Sequence, residues 1–220
     1  MFRFLAGAVS AHQLAWDCGT GNGQAAHGLA RFFKRVVATD ASDKQIASAI
    51  PSTNVEFRTA TAEASGLEPG SADLVTVAQA LHWFDIPRFF VECERVLKPG
   101  GILAVWCYER NRVDSECNPL IDRMFAEVED YWPPERAIVE NRYRDIDLPF
   151  AELPSPVFDM RALWQVDEIL GYFRTWSASQ RYVRDRGTDP VAVIESGLRK
   201  AWGKEKRTVS WPLTLRIGRK

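Results

Sequence analysis

Long apolar runs are missing from this 220-residue chain. A helix needs about 20 consecutive apolar residues to span a membrane, and no segment approaches that length. The opening residues, MFRFLAGAVSAHQ, carry the charge and small side chains of a secretion signal. Their apolar run is too short, however, and a core-like strand follows almost at once. We therefore expect a soluble, cytoplasmic protein that makes no membrane contact.

Clustered cysteines are also missing. The chain has four cysteines without a CxxC spacing, namely Cys18, Cys93, Cys107 and Cys117. Disulfide scaffolds and zinc sites both need cysteines that are grouped, so neither is expected and we predict no metal site. The cysteine pattern favours a reduced, cytoplasmic setting.

A strong charge of one sign is missing as well, since the formal net charge is −1. Such a chain has no general attraction for nucleic acid or anionic lipid. Residues 199–220 are the exception, with eight Lys/Arg and one Glu. Helix ends and edge strands often carry such charges for solubility, so we interpret this segment as solvated surface. The expected partner is a small-molecule substrate, with no nucleic-acid partner; the oligomeric state is left open.

The first half of the chain alternates apolar strand-like runs with helix-like runs. An amphipathic helix is predicted over 86–97, where KPGG stops it, and a short helix over 2–11. Strands that are apolar on both faces and alternate with helices predict a parallel sheet covered on each side. The predicted strands are 13–18, 35–40, 54–60, 72–80 and 101–109.

The second half is less regular. Helices are predicted over 118–132, 166–178 and 189–203, the last two each opened by an Asp that can cap it. Residues 133–156 read as an irregular, charged connection, and 207–219 as one or two closing strands with Pro212 at an edge or bend. This half also holds five of the eight tryptophans, which build core or line a pocket: Trp132, Trp164, Trp176, Trp202 and Trp211.

Three glycines at alternate positions, Gly19, Gly21 and Gly23, follow the first predicted strand in the segment WDCGTGNGQ. A dinucleotide-binding loop needs G-x-G-x-x-G, but Gln24 occupies the third glycine position. A P-loop is excluded because no Lys-Ser/Thr pair follows. The loop therefore predicts close approach of a different ligand.

A ligand with an amino-acid end and an adenosine end suits the surrounding residues. Its carboxylate would lie near the start of the following helix, and its ammonium would need backbone carbonyls and a nearby acidic residue. Asp40 ends the second predicted strand, where a carboxylate can bind both hydroxyls of a ribose. S-adenosylmethionine has this set of groups.

Five segments in order now resemble one family: WDCGTGNGQ, VVATDAS, the Ala-Glu pair at 62–63, VAQALHWFD and RVLKPGGILAVW. They are similar to class I S-adenosylmethionine-dependent methyltransferases, in particular the type 11 branch with the trans-aconitate methyltransferase-like proteins. The resemblance implies an α/β, Rossmann-like, doubly wound and mostly parallel seven-stranded sheet with an antiparallel C-terminal strand and a helical cap after strand five. It implies a cofactor-binding half, 1–109, and a substrate region with closing strands, 110–220, within one structural domain.

The same resemblance assigns cofactor roles to four loops. Gly19 and Gly21 would shape the methionine site beside Asp17, with Gly23 in the turn. Asp40 would hold the ribose hydroxyls. The adenine would be flanked by Ala41 and Gln45, and its edge would meet the backbone of Ala62 and Glu63. The methionine moiety and the transferred methyl group would be bordered by Gln79 and Ala80. Many members have an Asp where this chain has Thr61, which removes one expected contact with the adenine amino group.

Methyl transfer is an in-line displacement, so the main task of the protein is to align acceptor, methyl carbon and sulfur and to exclude water. His82 could take a proton from the acceptor or be a structural histidine. Trp83 could lie against the cofactor or pack on the following helix.

The acceptor is expected to be a small molecule, such as a carboxylate or another oxygen nucleophile. Candidate cations to anchor a carboxylate are Arg110, Arg112, Arg174 and Arg181, each of which could equally be surface charge. Family members usually carry a longer segment before the first strand, so cofactor binding is expected more firmly than catalysis. The alternatives are a non-catalytic S-adenosylmethionine-binding protein, a nicotinamide-dependent oxidoreductase or a nucleic-acid methyltransferase.

Overall fold

The computed structural model of the protein describes all residues, 1–220. The strands are β1 (Leu14–Cys18), β2 (Arg35–Asp40), β3 (Val55–Thr59), β4 (Ala72–Ala78), β5 (Leu97–Tyr108), β6 (Ala151–Leu153), β7 (Phe158–Trp164) and β8 (Arg207–Arg219). The α-helices are α1 (Phe2–Ala8), α2 (Gln24–Ala30), α3 (Asp43–Ala47), α4 (Ile86–Val96), α5 (Asn118–Glu127), α6 (Arg136–Glu140), α7 (Val166–Thr175), α8 (Ser177–Arg186) and α9 (Ala192–Trp202). No helix combines the length and the apolar character that crossing a bilayer requires.

The strands form an eight-stranded sheet in the order β3-β2-β1-β4-β5-β8-β6, with β7 paired to β8. The first five strands are parallel to their neighbours in the sheet, and β6 runs antiparallel to β8. All five residues of β1 are buried, as expected for a parallel strand covered on both faces. The predicted Rossmann-like fold class is confirmed, with eight strands where seven were predicted.

The chain divides into two compact units, here called the first and the second unit. The first unit comprises Met1–Cys107, Ile138–Phe158 and Thr214–Lys220, and the second comprises Tyr108–Ala137 and Asp159–Leu213. Each unit has its own apolar core, around Trp16 and Phe89 in the first and around Phe173 and Trp202 in the second. The division into a cofactor half and a substrate region at residue 109 stays a prediction.

α4 shows how sequence signals set an element that borders the site. Asp85 caps the helix, since its side chain accepts from the backbone amide of Arg88 at 3.3 Å. Phe89, Cys93 and Val96 are buried along one face. The helix ends at Val96, one residue before the predicted end, and β5 begins directly at Leu97, four residues before the predicted strand.

The second half requires several corrections. The helix predicted over 118–132 is α5, which ends at Glu127 and is followed by a 3₁₀ turn over Glu129–Tyr131. The helix predicted over 166–178 is two helices, α7 and α8, because the backbone turns at Trp176. The connection predicted to be irregular contains α6 and the short strand β6.

Other differences concern caps and strands. α7 is capped by Gln165 in a reciprocal pair with Glu168, so the prediction that the helix-opening Asp167 caps it is wrong. Asp189, ahead of α9, does accept from a backbone amide, that of Val191, at 3.0 Å. β7 was not predicted, and the closing segment is the single strand β8.

The basic C-terminal segment is largely engaged within the protein. Arg207 pairs with Asp114 in the second unit, and Arg216 pairs with Glu152 in the first. The ammonium of Lys220 donates to the carbonyl of Leu97 at 2.9 Å. These contacts support the interpretation of the segment as structural surface charge.

Candidate functional site

The glycine loop joins β1 to α2 in the first unit. All three of its glycines have positive φ angles, +66° for Gly19, +58° for Gly21 and +92° for Gly23, a region that favours glycine. A Cβ on Gly19 would lie 2.6 Å from the Cβ of Ala80, and one on Gly23 would lie 2.6 Å from the ring of Phe57. Two of the three positions therefore require glycine for space as well as for conformation.

Asp17 lies beneath this loop rather than on its surface. Its carboxylate is fully buried and accepts from the hydroxyls of Thr20 at 2.6 Å and Thr76 at 2.8 Å. Burial raises the pKa of Asp17 to about 6 against these hydrogen bonds, which lower it. Asp17 thus ties the loop to β4, and its role in shaping the methionine site stays a prediction.

Asp40, at the end of β2, connects the glycine loop to the start of α3. Its two carboxylate oxygens accept from the backbone amides of Gly21 and Ser42, each at 2.9 Å. The carboxylate is only partly buried, and each of its oxygens can accept a further bond. Asp40 is therefore held in place and still able to bind a ligand hydroxyl.

A cavity of about 330 Å³, here called the first cavity, opens beside the loop. Its size lies near the lower end of the range of roughly 300–1,000 Å³ for small-molecule sites. It is lined by seven residues that the sequence predicted and three that it did not: Gly19, Asp40, Ala41, Ala62, Glu63, Ala80 and Trp83, then Ala60, Thr61 and Phe84. The structure thus brings residues from four loops of the first unit together.

The other predicted residues lie outside the lining of the first cavity. Gly21 and Gly23 form the loop backbone, and Gln45 is exposed on α3, with its side-chain oxygen 4.0 Å from where a Cβ on Gly21 would be. Gln79 has a left-handed φ of +54°, and its amide donates to the carbonyl of Trp106 at 2.9 Å. A non-glycine residue in that conformation is strained, and such strain clusters at functional sites.

The loop that carries Ala62 is fixed by two carboxylates. Glu63 accepts from the backbone amide of Asp85 at 2.9 Å, at the start of α4. Glu92 accepts from the amide of Ser65 at 2.9 Å and from its hydroxyl at 2.5 Å. Burial opposes the ionisation of Glu92, but bonds from Arg95 and Ser65 outweigh it and hold its pKa below the usual value.

His82 and Trp83 lie in a 3₁₀ turn over Leu81–Trp83 that follows β4. Their rings pack together with centroids 4.6 Å apart. Trp83 is 58% exposed and lines the first cavity, whereas His82 does not. Trp83 is therefore available to a ligand, and a catalytic role for His82 stays a prediction.

The arginines predicted to anchor an acceptor have other neighbours. Arg112 pairs with Asp122 at 2.5 Å, and Arg174 is bonded to both Asp189 and Glu195. Arg110 lies over the ring of Phe125, 4.6 Å from its centroid, and Arg181 is exposed. Two of the four arginines, Arg112 and Arg174, therefore form ion pairs at the surface.

A separate cavity of about 230 Å³, here called the second cavity, lies within the second unit. It contains Asn111 and Arg136, neither of which the sequence singled out, and two of the five tryptophans considered above. None of the four predicted arginines lines it. Its lining residues are Tyr108, Glu109, Asn111, Phe125, Trp132, Arg136, Tyr172, Thr175, Trp176 and Ser177.

Comparison with known proteins gives a consistent result. Residues 16–105 match the type 11 family described as "Methyltransferase domain". A protein of Dictyostelium discoideum that is named as a methyltransferase is 33% identical over 193 residues, which cover 86% of this chain and 73% of that protein. The methyltransferase ptaI of Pestalotiopsis fici is 31% identical over 171 residues. These residues cover 69% of this chain but only 50% of that protein.

Solved structures agree. One from Anaeromyxobacter dehalogenans, described as a type II methyltransferase, is 43% identical with a TM-score of 0.93 and covers 99% of this chain and 94% of its own. The YcgJ protein of Bacillus subtilis, 16% identical with a TM-score of 0.58 and coverage of 100% and 97%, shows the fold alone.

Proposed function

This chain belongs to the S-adenosylmethionine-dependent methyltransferase family, and we propose that it binds S-adenosylmethionine in the first cavity and methylates a small-molecule acceptor. The observation that carries the proposal is the position of Asp40. Its carboxylate is fixed by the amides of Gly21 and Ser42 at the wall of a cavity that Gly19 also lines. A carboxylate so held suits the two hydroxyls of a ribose.

The residues present fit this cofactor. Gly19 leaves no room for a side chain between the loop and Ala80, so the backbone itself faces the cavity. Ala41 and Ala62 supply apolar surface for a purine ring. S-adenosyl-L-methionine would lie with its ribose at Asp40, and S-adenosyl-L-homocysteine would remain after transfer.

The bound cofactor supplies a methyl group already activated by its sulfonium. The side chains then have to orient the two reactants and exclude water. The exposed face of Trp83 can tolerate a sulfonium through its π electrons. The acceptor is proposed to be a carboxylate or another oxygen nucleophile, and His82 to orient it or take its proton.

Replacing Asp40 with Ala tests the proposal through binding alone. Loss of charge-assisted bonds to the ribose should weaken S-adenosylmethionine binding by roughly 1–3 kcal/mol in a calorimetric titration. Asp40→Asn keeps an acceptor oxygen for only one of the two loop amides and turns its NH2 group toward the other. Thermal unfolding of both variants is therefore measured beside the titration, to separate the loss of charge from damage to the loop.

Asp43→Ala is the matched control, because Asp43 is exposed three residues later and does not line the first cavity. Its affinity for the cofactor should equal that of the wild type. Full affinity in Asp40→Ala would contradict the placement of the ribose.

A further inference from the structure

β7 is an edge strand of the sheet. It pairs with β8 alone, so the backbone amides and carbonyls along its other side have no strand partner. Such a row of groups is a template for another strand, and native proteins block it with prolines, bulges, charges or a covering segment. The sequence of β7, FDMRALW, contains no proline and two charges of opposite sign. Whether these charges block the edge depends on which strand approaches it.

The two faces of β7 have different surroundings, because successive side chains of a strand point to opposite faces. On one face, Phe158 packs against Phe4 with ring centroids 5.8 Å apart. On the other face, Asp159, Arg161 and Leu163 are exposed. The exposed face therefore carries the side chains that a neighbouring strand would contact.

Exposed apolar side chains are grouped at this edge. Val157, which directly precedes the strand, is 87% exposed, Leu163 is 60% exposed and Met160 is 41% exposed. Single exposed apolar residues are ordinary, but a group of them marks a surface that another chain covers. Together with the open backbone edge, the group indicates an interaction surface.

The order of the residues is symmetric about Met160. If two copies of β7 paired antiparallel with Met160 at the centre, Asp159 of each copy would lie opposite Arg161 of the other. Val157 of each copy would likewise lie opposite Leu163. Opposite charges and apolar side chains stabilise an antiparallel pair when they lie opposite each other, whereas like charges destabilise it. The edge is thus complementary to itself.

Other registers lack this complementarity. A shift of two residues keeps the side chains on their faces, but it would bring Asp159 opposite Asp159 in one direction and Arg161 opposite Arg161 in the other. A parallel pair in register would stack the like charges in the same way. The two charges therefore oppose other pairings and favour the one that is centred on Met160.

Asp159 and Arg161 can bind across the strands without giving up their present contact. Within one chain, the guanidinium of Arg161 donates to the carboxylate of Asp159 at 3.0 Å. A carboxylate has a second oxygen and a guanidinium has five donors, so each group can take a further partner. Two copies would join their ion pairs into a network of four charges.

We propose that the edge of β7 is a self-association surface, at which a second copy of this chain pairs antiparallel about a two-fold axis at Met160. Each copy presents the same patch to the other, as in most symmetric dimers. A single pair of strands makes a small interface, so we expect a weak dimer with a Kd on the order of 10–100 µM. None of these residues lines the first cavity, and the inference does not depend on cofactor binding.

The test is sedimentation equilibrium of the full chain from about 1 to 300 µM. The wild type should change from monomer to dimer across this range. A monomer at every concentration would overturn the proposal. A dimer whose Kd is unchanged in both Asp159→Arg and Arg161→Asp would also overturn it, since the interface would then lie elsewhere.

Reversing either charge should break the self-complementarity. Asp159→Arg gathers four cations at the two-fold axis and Arg161→Asp gathers four anions, so each variant alone should associate at least about tenfold more weakly than the wild type. In an equimolar mixture of the two variants every cation again lies opposite an anion, and dimers should form with nearly wild-type affinity. Mixing does not repair damage to the fold. A mixture that stays monomeric would contradict the pairing of Asp159 with Arg161.

Arg184→Asp is the matched control. Arg184 is exposed on α8, outside β7, and its replacement changes the net charge by the same amount as Arg161→Asp. Its Kd for self-association should equal that of the wild type. An equal loss in Arg184→Asp would show that association responds to net charge alone, and would overturn the assignment to β7.

Discussion

Asp17 and Asp40 lie at the carboxyl ends of neighbouring parallel strands, yet their carboxylates have different surroundings. Asp17 is fully buried between two threonine hydroxyls, whereas Asp40 is partly exposed and bonded to backbone amides. At the scale of single residues this difference separates a group that shapes the loop from one that is available to a ligand.

The raised pKa of Asp17 predicts a pH-dependent contribution to stability. Because the folded pKa of about 6 exceeds the ordinary value of 3.8, the contribution is complete below the ordinary pKa and is lost as pH rises through about 6. The stability of the wild type relative to Asp17→Asn should therefore fall by roughly 2–3 kcal/mol between about pH 4 and pH 7.

Denaturant unfolding of both proteins at the two pH values measures this change, with Asp43→Asn as an exposed control. If the free energies of unfolding of the wild type and Asp17→Asn change with pH by the same amount, the prediction of a raised pKa for Asp17 is wrong.

Gly19 allows a test of space rather than of conformation. Gly19→Ala and Gly70→Ala both place a side chain at a positive φ, which costs roughly 1–2 kcal/mol. Only at Gly19 would the new Cβ meet other atoms, 2.6 Å from Ala80, while at Gly70 nothing lies within 4 Å.

Gly19→Ala should therefore weaken S-adenosylmethionine binding by about tenfold or more, whereas Gly70→Ala should retain wild-type affinity at a modest cost in stability. Calorimetric titration and thermal unfolding of both variants measure the two effects. Equal affinities would mean that the loop has room to adjust.

At the scale of elements, α4 holds the loop that carries Ala62 through a buried carboxylate. Glu92→Gln keeps the shape but removes the charge that Arg95 and Ser65 bind, so it should lower the free energy of unfolding by roughly 1–3 kcal/mol at neutral pH. Because the pKa of Glu92 is lowered in the fold, its contribution is lost as pH falls, and the difference should shrink in acid.

Glu94→Gln, an exposed change on the same helix, is the control for urea unfolding measured at neutral and acidic pH. A Glu92→Gln variant as stable as the control would mean that the loop is held by its other contacts.

The elements also show what the sequence can and cannot predict. β1 and β2 were predicted to within one residue, because apolar runs between glycine or charged segments mark buried parallel strands. β7 was missed, since charged and polar residues in FDMRALW lie on exposed positions and its partner is the distant β8. Pairing with a strand far along the chain leaves no local signal.

The two cavities also differ in how far the sequence predicts the residues that line them. Asp40 is the last residue of a predicted strand, so its place at the sheet edge could be derived from the sequence. Asn111 carries no such signal, because its burial and its lack of a hydrogen-bond partner are set by the tertiary packing of the second unit. Arg136 lies in a segment that was interpreted as irregular, which hid its place in the aromatic lining.

At the scale of the whole molecule, family membership fixes the type of reaction and leaves the acceptor to be found. Proteins that share one fold act on many different substrates. The fold therefore does not identify the acceptor, and the residues of the site have to. The first unit supplies the residues proposed for the cofactor, and the second supplies a cavity of different chemistry.

The most direct test of the central claim is a side-by-side calorimetric titration of the full chain with S-adenosylmethionine, S-adenosylhomocysteine and NAD. We expect both sulfur ligands to bind at one site per chain and NAD to give no heat of binding. Binding of NAD but of neither sulfur ligand, or no heat of binding with any of the three, would contradict the claim that the glycine loop and Asp40 form an S-adenosylmethionine site.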